Sequence, residues 1–311
     1  MAVPSLHPRR PCKIGVILPL FEDGLNGMTA KWSDLAEFAR VAEDVGFDSL
    51  WIPDHLVFHA DDGTTSGMWE GWSLLAALSA VTHRMELGTF VTCAGWRNPA
   101  LLAKMADTVD EISGGRLILG LGAGWHEPEF RTFGFPFDHR FGRFEEAVAI
   151  ITGLLRHGSV DVAGTYWSAR ECELRPRGPR PGGPPIMIGT TGKRMLALTA
   201  QYADLWNVWF DETDNDIQKL KLLLESVDAA CASVGRAPET LERTAAVNVE
   251  VMPNSPSPKS AAPLRGTPGE LAGQLRDYAA IGVTHLQVWP EPNTVAGIER
   301  FARVLEAMER E

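Results

Sequence analysis

Several protein classes are set aside by what this sequence lacks. Its four cysteines, Cys12, Cys93, Cys172 and Cys231, lie far apart and form no CxxC pair. They read as free thiols in a reducing cytoplasm. Positive charge is scarce: the formal net charge is -11, which speaks against a nucleic-acid partner, because such a surface needs a basic footprint. No apolar run approaches the roughly 20 residues that span a bilayer, so no membrane partner is expected. The start, Met1–Pro11, carries Arg9 and Arg10 with no apolar stretch behind them and does not read as a signal peptide. Catalytic signatures are missing too. There is no G-x-S-x-G, and His126-Glu127 lacks the second histidine of H-E-x-x-H. His55 and His59 are four apart, but the acids nearest them are Asp61 and Asp62 in a loop, so no metal is expected. A dinucleotide fingerprint from Gly120 or Gly122 fails, because positions 125 and 127 hold Trp125 and Glu127.

What is present is a rhythm. Short apolar runs alternate with amphipathic stretches almost from end to end. Strands are expected at Lys13–Leu18, Ser49–Ile52, Met85–Thr92, Leu117–Leu121, Ile186–Ile188, Leu205–Val208, Thr244–Val251 and His285–Trp289. Helices are expected at Lys31–Val45, Trp69–Thr82, Asn98–Ile112, Arg140–Leu155, Lys193–Tyr202, Asp216–Val234, Pro268–Ile281 and Thr294–Arg310. Gly46 stands where a helix-ending glycine belongs, and Pro99 where a first helical turn tolerates a missing N–H. Such alternation demands a parallel sheet covered by helices. Eight units fit a closed (β/α)8 TIM barrel better than an open doubly wound sheet. One domain over 1–311 is expected, with insertions after strands four and seven. Glu127–Phe137 reads as a loop with a helical turn, and 158–185, rich in Pro, Gly and Arg, as an irregular insertion.

In an α/β barrel the site lies at the C-terminal ends of the strands. Strand two ends in Asp54-His55. An imidazole beside a carboxylate can serve as a general acid or base, and equally as a solvated loop histidine beside a capping aspartate. Strand three ends in Thr89-Phe90-Val91, with Arg97 beyond it, a residue suited to an anion, a carbonyl or an ordinary surface pair. Strand four closes in Gly122-Ala123-Gly124-Trp125, where glycine lets backbone approach a ligand or simply pack a tight turn. After strand five, Gly189-Thr190-Thr191-Gly192-Lys193-Arg194 opens a helix. Small residues, a helix N-terminus and two cations suit a phosphate. Ten tryptophans, many near strand ends, suggest a wide, flat apolar pocket.

These pieces together resemble the luciferase-like flavin and deazaflavin oxidoreductases. The resemblance covers nearly the whole chain. It is carried by FARVAEDVGFDSLWIPDH, by RNPALLAKMADTVDEISGGRLILGLGAGWHEPEF, by FGFPFDHRFGRFEEAV and by IMIGTTGKRMLALTAQYADLWN. It implies a two-electron cofactor in the barrel mouth: a deazaflavin (coenzyme F420), favoured by the Asp-His pair, or FMN. It implies that His55 moves a proton while Asp54 orients or polarises the site. It places a non-prolyl cis bond at Phe90–Val91. Thr89, Phe90, Val91, Arg97, Gly122, Gly124, Trp125 and Glu129 then lie along the cofactor, and Gly189, Thr190, Thr191, Gly192, Lys193 and Arg194 at its phosphate. The activity implied is hydride transfer to or from a small organic substrate, or monooxygenation with reduced FMN. A non-catalytic flavin-binding protein and a barrel hydrolase are the rival readings. A homodimer, a flavin or F420 reductase partner and a cytoplasmic location complete the expectation.

Overall fold

The computed structural model describes residues 7–310 except 23, 26, 61–62 and 253–260. Eight strands are β1 (Lys13–Ile17), β2 (Ser49–Ile52), β3 (Glu86–Thr89), β4 (Leu117–Gly122), β5 (Ile186–Gly189), β6 (Leu205–Val208), β7 (Glu242–Glu250) and β8 (Val283–Glu291). They run parallel in the order β5-β6-β7-β8-β1-β2-β3-β4, and β4 pairs back onto β5. The sheet is therefore a closed barrel, as the alternation implied. Register is fixed across the seam: Val16 faces Val288 on one side and Leu50 on the other.

The principal helices are α1 (Trp32–Val45), α2 (Gly71–Val81), α3 (Pro99–Ser113), α4 (Arg140–His157), α5 (Lys193–Tyr202), α6 (Ile217–Ser233), α7 (Pro268–Ala280) and α8 (Val295–Glu309). Local chemistry sets their ends. Asn98 accepts the N–H groups of Ala100 and Leu101 at the start of α3, with Pro99 in its first turn. Gly46 ends α1 at φ +97°, a left-handed conformation that costs other residues energy. None of the helices among the described residues is long and apolar enough to cross a membrane.

Two apolar layers follow. Between barrel and helices sits a core of residues such as Val16, Leu50, Leu87, Leu119, Val247 and Phe301. Each fully buried side chain of this kind stabilises the fold by about 1.5–3 kcal/mol relative to exposure. Inside the barrel, Trp51 is fully buried and lies across Gly15 and Gly88. A Cβ at Gly88 would stand 2.2 Å from the indole, so the large ring requires hydrogen there. The same interior buries Ser49, Thr244, His285, Asn207 and Gln287. They pair with one another: Ser49 Oγ lies 2.7 Å from His285 Nε2, and Asn207 Nδ2 donates to Thr244 and Gln287.

Three places differ from the sequence reading. The run Met85–Thr92 is not one strand. β3 stops at Thr89, a cis peptide joins Phe90 to Val91, and Thr92–Cys93 pairs separately beside the end of β4. The stretch 158–185 is not irregular throughout. Ser159–Ala163 and Ser168–Glu173 form an antiparallel hairpin whose turn is held by Glu146, which accepts the N–H groups of Thr165, Tyr166 and Trp167. A second hairpin, Val57–His59 with Thr65–Gly67, stands after β2 where a loop was expected. Both hairpins are short and half-exposed, so the alternation signal is faint, although Val160, Val162 and Ala169 of the first pack against the outer core. Glu127–Phe133 forms a short helix. Asp61 and Asp62, weighed above beside His55 and His59, lie outside the described residues.

Candidate active site

A cavity of about 850 Å³ opens at the C-terminal ends of the strands, within the size range of small-molecule sites. Asp54, His55, Phe90, Val91, Gly122, Gly124, Trp125, Glu129, Gly189, Thr190, Thr191 and Gly192 all line it. Strand ends far apart in sequence are thus brought to one mouth by barrel closure.

His55 follows β2 directly. Its Nδ1 lies 2.9 Å from Glu129 Oε2, contributed by the short helix after β4. The Glu129 side chain is fully buried. Its other oxygen accepts the N–H groups of Leu56 at 2.6 Å and Val57 at 3.1 Å. Burial pushes the Glu129 carboxyl up, but the hydrogen bonds from His55, Leu56 and Val57 outweigh it and hold it below the ordinary glutamate value. An ionised Glu129 accepts a proton-bearing Nδ1, which leaves Nε2 as the ring nitrogen able to exchange a proton in the cavity wall.

Asp54 lies next to His55 in the cavity wall, and its carboxylate is paired away from the imidazole. It is buried and held by Arg97, whose Nη1 and Nη2 donate at 2.7 and 2.9 Å, and by the N–H of Cys93 at 3.0 Å. Arg97 also donates to Glu70 at 2.8 Å. Arg97, expected at the cofactor, does not line the cavity; two carboxylates hold its guanidinium behind the wall. The pair fixes the end of β2 against the turn after β3.

Thr89 is likewise structural in placement. Buried, its hydroxyl donates to the Gly120 carbonyl and accepts the Gly120 N–H, tying β3 to β4. Lys193 and Arg194 are exposed and do not line the cavity, and the Arg194 guanidinium sits 3.7 Å over the Phe141 ring. The helix start at Gly192 therefore reaches the cavity through backbone and the Thr190 and Thr191 side chains. Other lining residues were not singled out from sequence: Phe21, Phe58, Met195, Asn207, Asp211 and Glu212. Phe58 sits on the unexpected hairpin. Asn207 lies at the end of β6, and that position alone could have flagged it. Trp96, Trp209 and Trp289 do line the mouth, in keeping with the tryptophan count.

Residues 12–262 match the sequence profile of the luciferase-like monooxygenase family. The chain belongs to that family. Its relatives include the 5,10-methylenetetrahydromethanopterin reductase of Archaeoglobus fulgidus, 32% identical over 223 residues, covering 71% of this chain and 61% of the relative. The pyrimidine monooxygenase RutA of Stutzerimonas stutzeri is 35% identical over 239 residues, covering 72% and 64%. The F420-dependent glucose-6-phosphate dehydrogenase of Amycolatopsis mediterranei is 30% identical over 222 residues, covering 67% and 63%. In each, the match spans less than two thirds of the relative's length. Among solved structures, an F420-dependent secondary alcohol dehydrogenase bound to an F420–acetone adduct shares the fold at a TM-score of 0.77 and 20% identity, covering 96% of this chain and 99% of that one.

Proposed function

We propose that the chain is an oxidoreductase that binds a deazaflavin in the barrel mouth and transfers a hydride to or from a small organic substrate. The observation that carries this reading is the His55–Glu129 pair in the wall of a large cavity walled by rings and small residues. A hydrolase would need a metal or a free pair of carboxylates. No group of metal-ligating side chains occurs among the described residues, and Asp54 and Glu129 are held by Arg97 and His55.

The residues fit such a cofactor. Gly122, Ala123 and Gly124 and the loop Gly189–Gly192 line the cavity with little side-chain bulk. At Gly192, nothing lies within 4 Å of where a Cβ would be. N–H groups of the first turn of α5 suit a phosphate there, aided by the helix dipole. Phe90 and Val91 also line the cavity, with Val91 packed beside Gly122 and Gly189. When bound, the cofactor supplies two-electron chemistry; the protein supplies position and proton control. Glu129 holds the proton on Nδ1, so Nε2 takes a proton from, or gives one to, a substrate oxygen. Asp54 positions the His55 segment through Arg97 and Cys93.

The 35% identity to the pyrimidine monooxygenase favours a second reading, reduced-FMN-dependent monooxygenation in the same cavity. Titration of the purified protein with deazaflavin and with FMN, followed by absorbance and fluorescence, separates the two. Selective deazaflavin binding is the expected result. Selective binding of reduced FMN transfers the assignment to the monooxygenase, and binding of neither overturns both. A reductase partner and a homodimer accompany this proposal.

A further inference from the structure

We infer that the substrate is an uncharged molecule with a planar unsaturated or aromatic ring, which lies on Trp125 and brings a polar atom to His55 Nε2. This rests on the oxidoreductase reading and narrows its substrate class.

Trp125 is unusual for a cavity residue: it lines the mouth yet is 63% exposed. Its backbone is fixed. Gly124, just before it, holds φ +76°, and a Cβ there would meet Phe130 at 2.5 Å and the Cys93 sulfur at 2.7 Å. The Gly124 carbonyl accepts a hydrogen bond from Arg140 at 2.8 Å. The indole is thus presented on a pinned turn with one side open. Its ring neighbours are His55 at 5.8 Å, Phe58 at 6.2 Å and His126 at 5.1 Å. The imidazole stands at 73° to the open indole, so the two rings form one corner of the mouth. A flat ring laid on the indole removes apolar surface from water and stacks at the same time.

Charge narrows the class further. Among the described residues that line the cavity there is no lysine and no arginine. Arg97 is held by carboxylates, and Lys193 and Arg194 are exposed outside the lining. Asp211 and Glu212 add negative charge at the rim. With the N–H groups at the start of α5 taken by the cofactor, a phosphorylated or carboxylated substrate would lose its hydration beside Trp125 and meet no described side-chain cation. A neutral ring system satisfies every one of these walls. The chain therefore departs from its relative named for a sugar phosphate, despite 30% identity.

The test uses 1-naphthol and glucose 6-phosphate as probes, titrated by ligand-observed NMR with cofactor-free protein and with protein saturated in its cofactor. 1-Naphthol should bind wild type, and glucose 6-phosphate should not displace it. Trp125→Ala should weaken 1-naphthol about tenfold, the loss of one ring contact, while Trp125→Phe recovers most of it. Trp125→Ala should weaken 1-naphthol several-fold more than it weakens the cofactor, which the resemblance also sets along Trp125. The inference is overturned if Trp125→Ala leaves 1-naphthol binding intact, if it weakens cofactor as much as probe, or if glucose 6-phosphate competes. Failure of wild type to bind any cofactor sinks the oxidoreductase reading instead. The probe's dependence on Trp125 is still read in the cofactor-free protein.

Discussion

His55 and Glu129 are 74 positions apart in sequence and 2.9 Å apart in the fold. Replacing His55 by Asn should lower kcat by about 10²–10⁴-fold, the usual worth of a general acid or base, with cofactor affinity retained. Steady-state kinetics beside a cofactor titration checks this. Glu129→Gln should also lower kcat and leave KM nearly unchanged, because both carboxylate oxygens accept: with its oxygen on the Leu56 and Val57 N–H groups, the amide turns its NH2 toward Nδ1 and forces the other tautomer of the ring. An effect on KM alone would contradict a proton role. Asp54 calls for a different measurement. Asp54→Asn removes the buried partner of Arg97, and breaking such pairs costs about 3 kcal/mol, moderated here by Glu70. Urea unfolding should register that loss. At this scale the sequence reading was uneven. His55 was legible from its place after a strand. The exchange of partners, Glu129 for His55 and Arg97 for Asp54, was not, because each pair joins loops from different strand ends.

At the scale of elements, strands and helices were legible nearly throughout, because burial on both faces and helical periodicity leave strong apolar patterns. The exceptions were short or half-exposed: the hairpins over 57–67 and 159–173, and the break after Thr89. Element packing yields a paired prediction. Gly88→Ala in β3 places a methyl 2.2 Å from Trp51 and should destabilise by about 1–3 kcal/mol or prevent folding, as overpacked cores do. Gly273→Ala inside α7 meets nothing within 4 Å and should stabilise by about 0.5–1 kcal/mol through helix propensity. Thermal unfolding of both variants checks the pair. Equal effects would show that Trp51 does not lie across the glycine.

For the whole molecule, the polar barrel interior sets an acid limit. His285 is fully buried, and burial, aided by the charge of Lys13, pushes its pKa well below the ordinary value of 6.5. The unfolded chain therefore binds a proton below that value while the folded chain resists it. Stability should be complete above pH 6.5 and fall as pH drops through the interval beneath it. His126, also lowered by burial, adds in the same direction. Glu129, held below the ordinary 4.5, contributes stability above that value that is lost only in more acid solution. Melting temperature against pH should show the histidine loss first, and His285→Gln should flatten it. An unchanged slope in that variant would remove His285 as the cause.

The sequence by itself determined the alternation of eight strands and eight helices, and hence the barrel, because apolar periodicity is written in neighbouring residues. It also marked which loops face the mouth, since each follows a strand. Only the tertiary structure decided which of their side chains meet. Barrel closure brings β4 back to β5, and the segment after β2 meets the short helix after β4 across the end of β3. That places Glu129 on His55, turns Arg97 onto Asp54, and leaves Lys193 and Arg194 outside the cavity. Such pairings depend on distances between segments remote in the chain, and no local pattern encodes them.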